Sequence, residues 1–131
     1  DLPLDERAQR GRVLLQANLV GPDRPASRDA YATEVMFDSI ARAADTKVVA
    51  PGTVIEWSLT DAQPWQLSFD ADGCHAVQGA PRKADLQLVI SFDDWADLFA
   101  KRVDVRKLLL SRKLRPKGNL KLFLKFGKIF P

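Results

Sequence analysis

The chain has 131 residues, enough for one domain with its own hydrophobic core and too few for two ordinary ones. Apolar residues at 46% and charged residues at 28% exclude a disordered chain, and no apolar run exceeds three residues, which excludes a membrane-spanning helix. The formal charge of +3 conceals a division, because residues 1–100 sum to −7 and residues 101–131 to +10.

A segment that basic calls for an anionic partner: a membrane surface, a nucleic acid or an acidic protein. The single cysteine, Cys74, excludes an internal disulfide, and with the single histidine, His75, it cannot complete a Cys/His zinc site. No Gly-x-Ser-x-Gly elbow, phosphate-binding Gly-Lys-Ser/Thr loop or Gly-x-Gly-x-x-Gly turn occurs. Most familiar catalytic motifs are therefore absent, and the chain is not expected to be an enzyme. Asp1-Leu2-Pro3-Leu4-Asp5-Glu6-Arg7 does not read as a signal peptide, and a cytoplasmic location is expected.

In chain order, residues 5–18 have helical character, with Ala8, Leu14, Leu15 and Ala17 as apolar positions and Gly11 as a weak point. Gly21-Pro22-Asp23-Arg24-Pro25 then breaks the chain. Residues 1–29 are read as an N-terminal extension and linker, and residues 30–131 as the domain proper. Asp29 can cap a helix over 30–45, where Val35, Met36, Ile40, Ala43 and Ala44 form one apolar face. After a turn at Pro51-Gly52 come four strands: Val54–Leu59, Trp65–Asp70, Cys74–Gln78 and Ala84–Ser91. Their period-2 alternation is clearest in Trp65, Leu67 and Phe69 and in Leu86, Leu88 and Ile90. Short connections predict antiparallel hairpins throughout.

The period changes at Ser91-Phe92-Asp93-Asp94, an N-cap followed by first-turn acids. Trp95, Leu98, Phe99 and Arg102 continue at helical spacing. Asp104 starts a second helix with Val105, Leu108 and Leu109 on one face. Leu114-Arg115-Pro116-Lys117 is extended, and its proline confines it to a sheet edge. Gly118-Asn119 opens a final helix in which Lys121, Lys125 and Lys128 make one narrow stripe. Leu120, Leu122, Phe123, Leu124 and Phe126 fill the remainder, a wider apolar arc than a single surface helix buries.

This order and its residues resemble the sterol carrier protein-2 family over about residues 30–130. Ala84-Asp85 opens the fourth strand, Ser91 closes it, and Trp95 and Leu98 follow in the next helix. Lys113-Leu114 then leads to Lys117-Gly118-Asn119 and an apolar final helix. Where the family often has glycines, this chain has Ala100-Lys101-Arg102-Val103 and Ser111-Arg112, and Pro116 replaces an aliphatic strand residue. The resemblance implies an α+β fold: a five-stranded, mainly antiparallel sheet covered on one face by helices, with an apolar tunnel between them. It implies a carrier of a sterol, fatty acid or acyl chain, or an accessory module of a larger enzyme, with no cofactor or metal.

On that footing the lipid-contacting candidates are Trp95, Leu98, Phe99, Val105, Leu108, Leu109, Leu120, Phe123, Leu124 and Phe126. Such a site needs chiefly a concave apolar wall, because each buried CH2 contributes about 0.8 kcal/mol. Lys117, Lys121, Lys125 and Lys128 are the candidates for contact with an anionic membrane surface. An accessory or dimerisation role, with a homodimer or fused enzyme as partner, is the alternative. Nucleic acid is not an expected partner, because Phe123 and Phe126 lie in an apolar arc rather than among exposed basic groups. Trp57 and Trp65 read as core. Cys74 and His75 read as inert, and the acids Asp93, Asp94 and Asp97 have a sufficient reason to be there in the helix dipole.

Overall fold

The computed structural model describes Pro3, Glu6, Arg7, Gln9, Arg10 and residues 30–131. Glu6, Arg7, Gln9 and Arg10 are helical. The rest of the expected extension, the Gly21–Pro25 breaker and the Asp29 cap lie outside the described residues. The domain then runs α1 (Ala30–Ala43), a 3-10 turn (Thr46–Val48), β1 (Val54–Leu59), β2 (Trp65–Asp70), β3 (Gly73–Gln78) and β4 (Leu86–Ile90). It continues with α2 (Phe92–Phe99), α3 (Val105–Leu110), β5 (Arg115–Gly118), α4 (Leu120–Phe123) and α5 (Phe126–Ile129).

Alternation along the strands decides which sheet face is buried. Ile55, Trp57 and Leu59 of β1, Trp65, Leu67 and Phe69 of β2, and Leu86, Leu88 and Ile90 of β4 all point inward and are buried. Ring contacts show that the helices cover this same face. Phe37 of α1 stacks on Trp65 at 4.6 Å and on Trp95 of α2 at 4.2 Å. Trp57 meets Phe99 of α2 edge-on at 5.4 Å and Phe126 of α5 at 6.1 Å. The opposite face carries Ser58, Gln66, Ser68 and Gln87, with Glu56 accepting a 3.4 Å hydrogen bond from the Gln87 amide.

The sheet order is β3-β2-β1-β4-β5, and the expectation of hairpins throughout needs correction. The pairs β1–β2, β2–β3 and β4–β5 are antiparallel, but β4 leaves β3 and lies parallel to β1. Burial explains the choice. β4 has three buried apolar side chains and gains most in the centre, whereas β3 has no fully buried residue and suits an edge. Loop length alone could not show this. Pro116 sits on the outermost strand β5, opposite Leu88, where a missing N–H is tolerated.

Both middle helices end in the same device. The Lys101 N–H donates to the Leu98 carbonyl and the Arg102 N–H to Asp97; likewise Arg112 donates to Leu109 and Lys113 to Leu108. These are Schellman caps, whose pivotal residue must be left-handed and is usually glycine. Here the pivots are Lys101 at φ 63° and Arg112 at φ 61°. The two places where the sequence departs from the family's glycines are therefore the places where the backbone most wants one.

The quoted motif residues meet at one corner of the sheet. The Asp85 carboxylate accepts the Val54 N–H at 2.8 Å, and its carbonyl accepts the Asn119 N–H at 2.8 Å. Gly118, at φ 103°, crosses so close that a Cβ would lie 2.7 Å from the Asp85 carbonyl oxygen. Asn119 then caps α4 by accepting the Leu122 N–H. Asp85 and Gly118-Asn119 thus lock β4, β5 and α4 together.

The expected single final helix is also corrected. It breaks after one turn: α4 ends at Phe123 and α5 begins at Phe126, with Leu124-Lys125 as a turn between them. The break turns Phe126, Ile129 and Phe130 inward to the core. Lys121, Lys125 and Lys128 consequently do not continue along one unbroken helix.

Candidate functional site

A cleft of about 360 Å3 opens between the α2–α3 connection and the C-terminal turn. Leu98, Val103, Val105, Phe126 and Phe130 supply its apolar lining, Gly127 part of its wall, and Lys101, Arg102 and Asp104 its charged rim. Its size falls in the range that holds small-molecule ligands. The Schellman cap of α2 creates the place. It turns the chain left-handed at Lys101, and Lys101, Arg102 and Asp104 are exposed while Val103 stays half-buried.

The rim is held electrostatically. Arg102 lies 3.8 Å from Asp97, one turn back in α2. Asp104 caps α3 through the Arg106 N–H at 2.8 Å and also meets the Arg106 guanidinium at 3.2 Å. Those hydrogen bonds, from side chain first and backbone second, hold the Asp104 carboxyl below its usual range. Asp104 is therefore engaged with α3 and Arg102 with Asp97, while Lys101 adds positive charge at the opening.

Phe126 and Phe130 have one side on the cleft and the other on the core. They lie 6.1 and 6.3 Å from Trp57 and 5.1 Å from each other. Behind them Phe99 touches both rings and Trp95. The two phenylalanines thus form the partition between the cleft and the sheet. Among the described residues, the buried indole N–H groups of Trp57, Trp65 and Trp95 have no acceptor.

Of the ten lipid-contacting candidates, the structure brings Leu98, Val105 and Phe126 to this cleft. Trp95, Phe99 and Leu108 are buried in the core, and Leu109 and Phe123 are half-buried against it. Leu120 and Leu124 point outward, 57% and 83% exposed. Lys117, Lys121, Lys125 and Lys128 are all exposed, and the Lys125 ammonium donates to the Val48 carbonyl at 3.3 Å. The sequence reading missed Val103, Phe130 and Gly127. Continuing the i, i+4 spacing from Phe126 would have found Phe130. Val103 lies between helices, where no periodicity marks it.

A second cleft, of about 430 Å3, lies near the end of α1 and the β2–β3 turn. Arg7, Arg42, Lys47, Asp45 and Asp72 dominate it, and Ala41, Ala44 and Cys74 offer little apolar floor. Burial first, and the Asp70 charge second, push the Cys74 thiol up to about 12. An unfolded thiol titrates near ~8.5. Between these values the unfolded chain releases a proton that the folded one keeps, so Cys74 lowers stability as pH rises through this window. At about pH 8 a disulfide reagent should label Cys74 far more slowly in the native protein than in urea. Equal rates would contradict the half-buried, protonated thiol. Among the described residues no group of His, Cys, Asp or Glu is placed to hold a metal ion.

The sequence profile of the SCP-2 sterol transfer family matches residues 37–131. No curated protein is significantly similar in sequence. Among solved structures, the inverting sec-alkylsulfatase Pisa1 from Pseudomonas sp. superposes with TM-score 0.61 at 22% identity, over 76% of this chain and 16% of that one. A UbiJ-SCP2 ubiquinone synthesis protein gives TM-score 0.57 at 14% identity, over 83% and 96%. Palmitated SCP2L2 from Aedes aegypti gives 0.55 at 16% identity, over 72% and 86%. This chain thus spans about one-sixth of the alkylsulfatase's length, and most of the length of the other two. At these identities the structures agree in fold, and the profile covers most of the sequence: the chain belongs to the SCP-2 sterol transfer family.

Proposed function

We propose that the domain binds and carries a hydrophobic ligand, such as a fatty acid, acyl chain or sterol, without chemically altering it. The observation that carries this reading is the cleft with an aliphatic and aromatic floor and a cationic rim. Hydrophobic burial supplies the affinity, at about 25 cal/mol per Å2 of apolar surface, and the rim orients the polar end. Phe126 and Phe130 act as a movable partition. Rotation of either ring extends the cleft toward Trp57, and a ligand oxygen that enters there gains a buried indole donor. The palmitated state of the SCP2L2 structure is consistent with an acyl ligand on this fold. The basic face, by the same reading, addresses an anionic membrane during loading and delivery.

Native mass spectrometry of the purified protein should show a bound lipid or uptake of added palmitate. A protein that takes up neither palmitate nor cholesterol nor any member of a broad lipid panel would end this reading. Trp57 is a built-in reporter, because its ring touches Phe126 and Phe130.

Lys101 gives a sharper test. A side chain in the left-handed region costs about 1 kcal/mol relative to glycine, and Lys101 bears that cost at the cleft rim. Lys101→Gly should therefore raise the urea midpoint, by about 0.5–1 kcal/mol in stability, while weakening palmitate binding several-fold. Arg112→Gly, which relieves the same strain away from the cleft, should raise stability alone. Unchanged palmitate affinity in Lys101→Gly would remove the rim from the mechanism.

The sec-alkylsulfatase similarity favours one second reading, because there the fold is a small part of a longer enzyme chain. In an accessory role, the cleft would take a hydrophobic substrate or a partner segment. A Val103→Trp variant, which fills the cleft, would then alter assembly and leave lipid uptake unchanged.

A further inference from the structure

The final segment contains more apolar surface than the core accepts, and the structure shows where the surplus goes. The Leu124 N–H donates to the Leu120 carbonyl at 3.0 Å, so these two leucines stack one helical turn apart. At about 100° per residue, Leu120, Leu124 and Lys121 lie side by side on α4 and its C-cap, opposite Leu122 and Phe123. Leu122, Phe126 and Phe123 occupy the inward arc. The outward arc holds two leucines beside two lysines, all four exposed.

The exposure is selective. Four large apolar side chains are exposed among the described residues: Val77, Leu110, Leu120 and Leu124. Three of the four lie in residues 101–131, the segment that carries +10. Apolar side chains set among cations fit a surface that is anionic outside and hydrocarbon within. A soluble acidic partner would satisfy the lysines and leave the leucines in a polar contact. A second copy would bring like charges together.

We propose that α4 and the turn that follows it form the membrane-docking element of this domain, with Leu120 and Leu124 entering the acyl layer of an anionic bilayer and Lys121 and Lys125 resting on its headgroups. This rests on the reading that the basic face meets a membrane, and it assigns the contact to four residues. It also separates tasks that the sequence had merged. Leu120 and Leu124 contact lipid as bilayer, not as bound ligand, while Phe126 and Phe130, a few residues on, wall the cleft.

The test is cosedimentation of the full chain with vesicles of equimolar phosphatidylglycerol and phosphatidylcholine, and with phosphatidylcholine alone. Binding to the anionic vesicles is expected, with little to the neutral ones. Leu120→Gln and Leu124→Gln should each weaken it about tenfold without changing charge or melting temperature. Lys121→Gln should weaken it roughly fivefold and flatten its salt dependence. Three results would overturn the proposal: no vesicle binding by the parent protein, vesicle binding indifferent to both leucine variants, or leucine variants that turn a dimer into a monomer. Palmitate uptake by Leu124→Gln, measured in vesicle-free solution, should equal that of the parent. A parent that binds vesicles but no ligand would refute the carrier reading and leave this one standing.

Discussion

Trp95→Ala is expected to lower stability by about 3–5 kcal/mol, the usual cost of deleting a fully buried aromatic. Trp95 is completely buried, stacked at 4.2 Å on Phe37 and within 5.7 Å of both Phe92 and Phe99. It joins α1 to α2 through Phe37 and backs Phe99, which in turn meets Phe126 and Phe130, so its loss leaves a cavity at the seam of the two helices. Set against a total of about 5–15 kcal/mol for a domain of this kind, the change should bring the protein near its unfolding midpoint in low urea. Trp95→Phe should recover most of the difference, because the indole N–H it removes has no acceptor among the described residues. A urea midpoint for Trp95→Ala within about 1 kcal/mol of the parent would mean that Trp95 does not connect the helical layer.

Gly118→Ala should be nearly as damaging although it adds one carbon. The position combines a left-handed φ of 103° with a Cβ site 2.7 Å from the Asp85 carbonyl oxygen, and that oxygen is backbone and cannot swing away. Conformational strain and overpacking together are expected to cost about 2–4 kcal/mol. Gly79 supplies the control. Its φ of 112° is equally unfavourable to a side chain, but nothing lies within 4 Å of its Cβ site. Gly79→Ala should therefore show the strain alone, about 1 kcal/mol. Equal urea midpoints for the two variants would show that the β4–β5 corner yields and does not need the close approach.

How much of this was legible in the sequence follows physical lines. Strands with strict alternation, such as Trp65–Asp70, declare both their type and their inward face. Caps did the same for the helices: Ser91, Asp104 and Asn119 each accept the backbone N–H that their position implied. Pairing order was not legible, since β4 crosses to β1 for reasons of burial that no local signal encodes. The resemblance to the family placed the fold, but its quoted residues Asp85, Gly118 and Asn119 hold a corner together and do not line the cleft.

The site was harder to read. Apolar residues at helical spacing look alike whether they face core, cleft or solvent, so Trp95, Val105 and Leu124 were grouped together and prove to sit in three different surroundings. The helix break at Leu124-Lys125 leaves Leu124 exposed while Phe126 and Phe130 pack against Trp57. The left-handed pivots at Lys101 and Arg112 were visible only as missing glycines. Their meaning emerged once the Schellman hydrogen bonds were seen, because only then is a lysine at the cleft rim known to be held there against its backbone preference.

The central claim is that the cleft beside Phe126 and Phe130 receives the hydrophobic ligand. Titration of isotope-labelled protein with palmitate, followed by amide and aromatic chemical shifts, tests it most directly. The account predicts progressive shifts at Leu98, Lys101, Val103, Phe126 and Phe130, a secondary response at Trp57, and little change at the polar cleft around Asp45 and Asp72. Shifts confined to that polar cleft, or none at saturating palmitate, would contradict it.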